Sequence, residues 1–233
     1  MLHTPTRTTK TAEERLQEIL DVAQNLFAQK GYDATSVQDI IDAVGIAKGT
    51  FYHYFRSKSD LLDAVVDRMV EQGRAVIRTV VEDPRLDALT KFRQVFFQAN
   101  SWKLQHQGFL MELLRVMYRP ENAILRDRLR SVSIEVMVPL LASVVRQGVE
   151  EGVFDTEEPE EVVAIVLHIG QALSDTTAKA LLSGERHEEV ARRASHTARV
   201  YEQSIERVLG AAPGSLDLRL QEMFEQWLKT SKV

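Results

Sequence analysis

The chain has 233 residues, 44% of them hydrophobic, and a net charge of −5. That length suits one large domain, or a small one joined to a medium one, with apolar content enough for a buried core. It has no cysteine, no 18-residue apolar run and no signal-peptide stretch, which excludes disulfides and thiolate metal sites and predicts a cytoplasmic protein that spans no membrane.

The charge is unevenly spread. Residues 1–58 hold 7 Lys+Arg against 7 Asp+Glu, so the whole deficit lies in residues 59–233, at 22 against 27. A neutral segment still presents a basic face when its acids point elsewhere, so the acidic total does not exclude a nucleic acid partner.

Apolar residues recur with helical period throughout, and no alternating strand pattern occurs, which predicts an all-α fold of about ten helices. Residues 1–11 read as a flexible tail. Its Arg7 and Lys10, among threonines, have the composition of a basic arm that reaches a minor groove, with plain disorder the alternative. A first helix is predicted over 12–30, with Leu16, Ile19, Leu20, Ala23, Leu26 and Phe27 on one face and Gly31 as its C-cap. A short helix over 36–43 starts at Ser36, where Asp39 completes a variant of the capping box. Val44-Gly45-Ile46 breaks it, and a second short helix begins near Ala47.

A long helix follows Ser57 and runs to about Asp83, before Pro84. Further helices are predicted near 86–106, 108–118 and 121–151, the last containing Pro139, which removes a backbone donor and predicts a kink. After the acidic turn at Asp155–Pro159 come helices over 159–183 and 186–209. The turn Gly210–Ser215 leads to a final amphipathic helix carrying Leu216, Leu220, Met223, Phe224, Trp227 and Leu228. The domains expected are a small domain over 12–58, continuing into a connecting helix over 58–83, and a larger domain over 84–233.

Catalytic and cofactor signatures are missing: the chain has no GxGxxG, GxxxxGK[ST] or HExxH, and no Glu-x-x-His pair. No two of the six histidines share a helix at ligand spacing. No enzyme, cofactor or metal is therefore expected.

The segment 35–58 carries chemistry of another kind. Two short helices across a glycine turn form a helix-turn-helix, whose second helix can enter the DNA major groove. Gly45 permits the positive φ such a turn commonly needs. At 100° per residue, Phe51 and Phe55 fall with Ala47 on one face as core anchors. Gly49, Thr50, Tyr52 and His53 spread over the opposite face, with Lys48 and Tyr54 on its flanks. Gly49 lets the backbone approach DNA closely, and Thr50 can bond a base edge or pack on a thymine methyl. Lys48, Tyr52, Tyr54 and Lys58 suit phosphate contacts.

The stretch TSVQDIIDAVGIAKGTFYHYFRSK, residues 35–58, resembles the DNA-binding segment of the tetracycline-repressor (TetR) family of bacterial regulators. The likeness extends back through 12–31 and forward past Lys58, about a quarter of the chain. It includes the turn glycine, Lys-Gly-Thr, aromatic-Tyr-x-Tyr-Phe and Ser-Lys, all in register, and adds Thr35 and Ser36 to the expected DNA-facing set. One departure is Ala47, where family members often carry a capping serine; its absence costs about 1 kcal/mol locally. The resemblance implies a homodimer on a pseudo-palindromic double-stranded operator, with recognition helices about 34 Å apart. It also implies a small-molecule ligand in the larger domain, of unknown identity, and a regulator more often repressor than activator. The rival readings are a DNA-bound scaffold of the same fold without an inducer, and an all-α enzyme.

In the larger domain the helix over 159–183 is apolar on two sides. Val163, Leu167 and Gly170 are assigned to a dimer interface, with Ala194, Ala198, Tyr201 and Ile205 of the next helix completing the seam. Ile165, Ile169, Ala172 and Thr176 form the other side. A polar stripe, His168, Gln171, Asp175 and Lys179, lines a pocket, fixes register or is a solvated edge. Phe92, Phe96, Met111 and Met137 are the expected apolar pocket wall, together with His168, Gln171 and Asp175. Plain core is the alternative for the aromatic and Met residues.

Overall fold

The computed structural model describes residues 10–182 and 187–230. Among them the chain forms ten α-helices and no strand: α1 Ala12–Lys30, α2 Val37–Val44, α3 Lys48–Tyr54, α4 Lys58–Val81, α5 Ala88–Gln105, α6 Gln107–Met117, α7 Ala123–Glu150, α8 Pro159–Leu182, α9 His187–Leu209 and α10 Leu220–Thr230. A single 3-10 turn, Pro120–Asn122, precedes α7.

Local chemistry sets the helix starts. At α1 the Thr11 hydroxyl accepts from Glu14 N–H at 3.1 Å while the Glu14 carboxylate accepts from Thr11 N–H at 2.7 Å, a reciprocal capping box. Ser36 and Asp39 repeat that arrangement at α2. Ser57 and Asp60 act together at α4, where the Ser57 hydroxyl accepts from Asp60 N–H at 3.0 Å. These caps satisfy amide groups that the first turn of a helix leaves without partners.

The chain divides into two compact units. The first comprises residues up to Met69 together with Gly108–Leu113; the second comprises Val70–Gln107 and Leu114 onward. Thus α4 and α6 each contribute to both units. In the first, Ile19, Leu20, Ala23 and Phe27 of α1 pack with Ile40, Phe51, Phe55, Leu61 and Val65, all buried. Arg68 ties α4 to α1, donating to Asp21 Oδ1 and Gln24 Oε1 at 2.7 Å each.

The second unit is built round Phe92, Val95, Leu141, Val144, Val145, Phe154, Val163, Val166, Ile205 and Leu209. Phe92 meets Phe154 edge-on, with ring centroids 5.9 Å apart. Gly148 lies where an added methyl would come within 2.1 Å of the Phe154 ring, so that turn of α7 admits only glycine. By length and composition alone, residues 129–150 are apolar enough to cross a membrane. They lie within α7, whose Leu141, Ala142, Val144 and Val145 are buried in the second unit's core. Helix α7 continues through Pro139.

Candidate DNA interface

The turn between α2 and α3 depends on Gly45, which adopts the left-handed conformation at φ 71° and ψ 40°. Its N–H closes α2 on Ile41 O at 2.9 Å. A side chain there would meet Cβ–carbonyl repulsion, which glycine avoids. Helix α3 then starts at Ala47, which offers no side-chain cap.

Beyond the turn, α3 has two unlike faces. Phe51 is wholly buried and Phe55, just past the helix, is 6% exposed, with ring centroids 5.8 Å apart. Both rings anchor the helix to the first unit. On the other side Lys48, Gly49, Tyr52 and His53 are exposed, and Thr50 is half-buried. Tyr52 is 48% exposed, a large figure for an aromatic ring, and the Lys48 ammonium lies 6.0 Å from its centroid. Around Gly49 an added Cβ would meet nothing within 4 Å, so no packing inside the chain calls for a glycine there. The missing side chain leaves an open helix backbone toward solvent.

The acids of this segment are drawn aside. Asp39 pairs with Lys30 at 2.7 Å and caps α2. Its bond to the Lys30 ammonium, with help from Ser36, holds the carboxyl well below the usual carboxylate range. Asp60 accepts from Arg56 N–H and the Ser57 hydroxyl at α4, and Asp42 accepts from Gln38. Helix α3 itself carries no acid, and Lys48 stands exposed on its outer face. Arg56 is also exposed, directly after the helix. It was absent from the expected set, although its place in the acid-free stretch 43–59 marks it as a cation beside the recognition helix.

Three residues expected to face DNA are engaged inside the protein instead. Thr35 is wholly buried, and its hydroxyl donates to Gly31 O at 2.7 Å. Lys58 donates to backbone carbonyls of the loop after α1. Tyr54 is half-buried, and its hydroxyl donates to Ala12 O at 3.1 Å, closing the start of α1. Ser36 remains exposed, with its hydroxyl occupied in the α2 cap. The motif shows which residue types occur together; whether each points out or in depends on α1 and α4, which the motif does not contain.

The expected pocket residues fall in both units. Met111 belongs to the first unit and the others to the second. Phe92, 2% exposed, stacks with Phe96 at 5.4 Å, and Met137 packs against the same core. Asp175 is paired with Arg130 and accepts from the Tyr118 hydroxyl at 2.5 Å. Gln171 donates to Arg130 O at 3.2 Å. This part of the polar stripe holds α8 to α7, whereas His168 is exposed. Cavities bordered by described residues include two in the second unit, and none of those seven residues lines either. One of about 330 Å³ is bordered by Glu202, Glu206, Arg207 and Pro213. The other, of about 280 Å³, is bordered by Arg93, Phe97, Asn100 and Met223.

Some residues expected at a dimer interface are buried within the chain. Val163, Ala198 and Ile205 are each 1% exposed, inside the unit's own core. Leu167 and Tyr201 pack against that core, and Gly170 is half-buried. Ala194 lies outside the residues whose side chains are described. The side of α8 left exposed is the other one, with Ile165 at 48%, and Val200 of α9 is exposed to the same degree. Among the described residues no group of three or more His, Asp or Glu could hold a metal ion.

A short helix held down through its phenylalanines, bare and cationic on its outer face, and set behind a left-handed glycine turn, is the element with which helix-turn-helix proteins enter the major groove. The first unit is of that class. Residues 19–65 match the family described as bacterial regulatory proteins, tetR family. The HTH-type transcriptional repressor KstR2 of Mycobacterium tuberculosis is 30% identical over 145 residues, covering 60% of this chain and 69% of that protein. The HTH-type transcriptional regulator AcrR of Shigella flexneri is 42% identical over 59 residues, 25% of this chain and 27% of that one. Among solved structures, a TetR transcription regulator from Haloarcula marismortui aligns over 85% of this chain and 97% of its own, with a TM-score of 0.62 at 20% identity. A transcriptional regulator from Cytophaga hutchinsonii aligns over 92% and 97%, with a TM-score of 0.60 at 18% identity. The chain belongs to the TetR family: it is a DNA-binding transcriptional regulator and not an enzyme.

Proposed function

We propose that the chain is a repressor that binds a pseudo-palindromic operator as a homodimer and is released from it by a small molecule held in the second unit. The observation that carries the DNA side of this reading is the outer face of α3. Gly49 opens the backbone, Lys48 and Tyr52 suit phosphates, and Thr50 and His53 are placed to meet base edges. Phosphate contacts register as counterion release, which gives a direct test. Operator affinity of Lys48→Met, plotted against salt, is expected to show a slope shallower by about 1.8 than the parent chain, about 0.9 for each protomer of the dimer. Superimposable slopes would remove Lys48 from the interface.

Dimerisation is supported by the exposed side of α8, where Ile165, His168 and Ala172 follow one another at helical spacing. Val200 continues the apolar surface on α9, which packs against α8. Selection of bound duplexes from a random pool is expected to return two inverted half-sites about one helical turn apart, as a two-fold dimer requires. Recovery of a single half-site would count against the dimer. A small molecule that acts as inducer must bind the DNA-free state better than the DNA-bound one. The cavities of the second unit are the places for it, and a cytoplasmic location accompanies the operator. A second reading, regulation through a protein partner and no inducer, draws support from the close packing of Phe92, Phe96 and Met137. Operator release by a cytosolic small-molecule extract, and not by its protein fraction, would exclude that second reading.

A further inference from the structure

We infer that the cavity between α5 and α10 is a binding site for a small aromatic carboxylate. Arg93 and Phe97 stand four residues apart on α5 and so share one face of that helix, while Phe92 and Val95 go to the core. Both border the cavity of about 280 Å³, which Leu218 and Met223 complete from the α10 side. Its size is near the lower end for small-molecule sites, about 300–1,000 Å³. Phe97 is 64% exposed, which leaves its ring open to an apolar ligand. Arg93 is half-buried, and its hydrogen bond within the chain runs from Nε to Leu89 O at 3.3 Å. Asp87 is near enough to feel its charge but is turned to the cap of α5, where it accepts from Thr90 N–H at 2.8 Å. A guanidinium presents five N–H donors in a planar fork, and the outer pair of nitrogens matches a carboxylate held by two parallel bonds.

The other charged groups at the rim are matched among themselves. Arg219 lies 3.5 Å from Asp217 and 3.9 Å from Glu222, so Arg93 is the cation left to attract a ligand. Asp217 and Arg219 also hold left-handed backbone, at φ 44° and φ 52°, a conformation that side chains other than glycine rarely adopt. The surrounding structure maintains it: Leu216, Leu218 and Leu220 are buried, and Leu218 N–H donates to Glu202 Oε1 at 2.6 Å. Strain kept in this way clusters where ligands are clamped. Asn100, 5% exposed, borders the same cavity. The Trp227 indole can only donate, and it does so to Asn100 Oδ1 at 3.2 Å, which fixes the amide and turns Nδ2 toward Gln226. Apolar walls with a few oriented polar groups are the usual make-up of a small-molecule site.

The inference rests on the reading of the second unit as ligand-binding, and measuring binding to the DNA-free chain keeps it separate from induction. The full chain is titrated calorimetrically with cinnamate and with its uncharged analogue cinnamamide. Cinnamate is expected to saturate one site per chain in the millimolar range or tighter, and the amide to bind at least about tenfold more weakly, the effect of a lost charge-assisted pair. Arg93→Met is expected to bring acid and amide level, and Phe97→Ala to weaken both together, with parent-like circular dichroism in each. Absence of saturation, equal affinity for acid and amide in the parent, or a preference for the acid that survives Arg93→Met would overturn the inference. Should Arg93→Met not fold, Phe97→Ala, at an exposed position, decides: weaker binding of both compounds supports the site, and unaltered binding overturns it. Cinnamate that binds with this pattern and leaves operator affinity unchanged supports the site while contradicting the inducer.

Discussion

Helices α3 and α8 both present two faces, and the two cases differ in how those faces are told apart. In α3 they are chemically unlike: Phe51 is buried, while Lys48, Gly49 and His53 are exposed. In α8 they are nearly interchangeable, with Val163 and Val166 inside and Ile165 and Ala172 outside. Hydrophobicity alone orients the first helix. The second is oriented by its neighbours, α7 and α9, which pack against it. A helix with unlike faces declares its partner, whereas a helix with like faces takes whichever orientation fills the core.

Swapping the roles of α8's faces gives the largest effects. Ile165→Arg is expected to convert the dimer to a monomer in sedimentation while leaving folding stability within about 0.5 kcal/mol, as surface changes do. Val163→Ala, one turn position away, is expected to lose about 2 kcal/mol in chemical denaturation through the cavity it leaves. Unfolding by the first, or loss of the dimer by the second without loss of stability, would reverse the assignment. On α3 a smaller gain is available: Ala47→Ser is expected to add about 1 kcal/mol by capping the helix, read as a higher denaturation midpoint.

A pH-dependent effect concerns the polar side of α8. Burial, with the hydrogen bond to Asp175, pushes the Tyr118 phenol up to about 12, against an unfolded value near 10. Between those values the folded state retains a proton that the unfolded chain has lost, so stability falls as pH rises through that window and is fully present below it. Urea denaturation between about pH 9 and pH 11 should show this decline, and Tyr118→Phe should flatten it.

Much of the fold is legible in sequence because its signals are local. Ser36 with Asp39, Ser57 with Asp60, and Gly45 mark the helix-turn-helix within a few residues, and the helix ends agree with the expected ones to within two or three residues, except that the last helix, expected from Leu216, begins at Leu220. The division of the aromatic cluster into buried Phe51 and Phe55 and exposed Tyr52 is equally a matter of helical angle. The partners of Tyr54 and Lys58 are not legible in the motif because they lie far along the chain: Tyr54 meets Ala12, and Lys58 meets Tyr32. No local pattern distinguishes a tyrosine hydroxyl that closes a distant helix from one that meets a phosphate. Asp175 shows the same limit, since Arg130 and Tyr118 are separated from it by 45 and 57 residues. The first unit extends to Met69 and takes in Gly108–Leu113, a segment that no composition shift sets apart.

The central claim is that α3's outer face is shaped for DNA and not for the protein's own packing, and Gly49 tests it most directly. Gly49→Ala places a methyl where the chain itself has open space, and alanine favours a helix over glycine by about 0.5–1 kcal/mol. Denaturation and operator binding measured on the same preparation are expected to move in opposite directions, with stability raised and affinity lowered at least tenfold. Unchanged affinity in a stabilised variant would contradict the account.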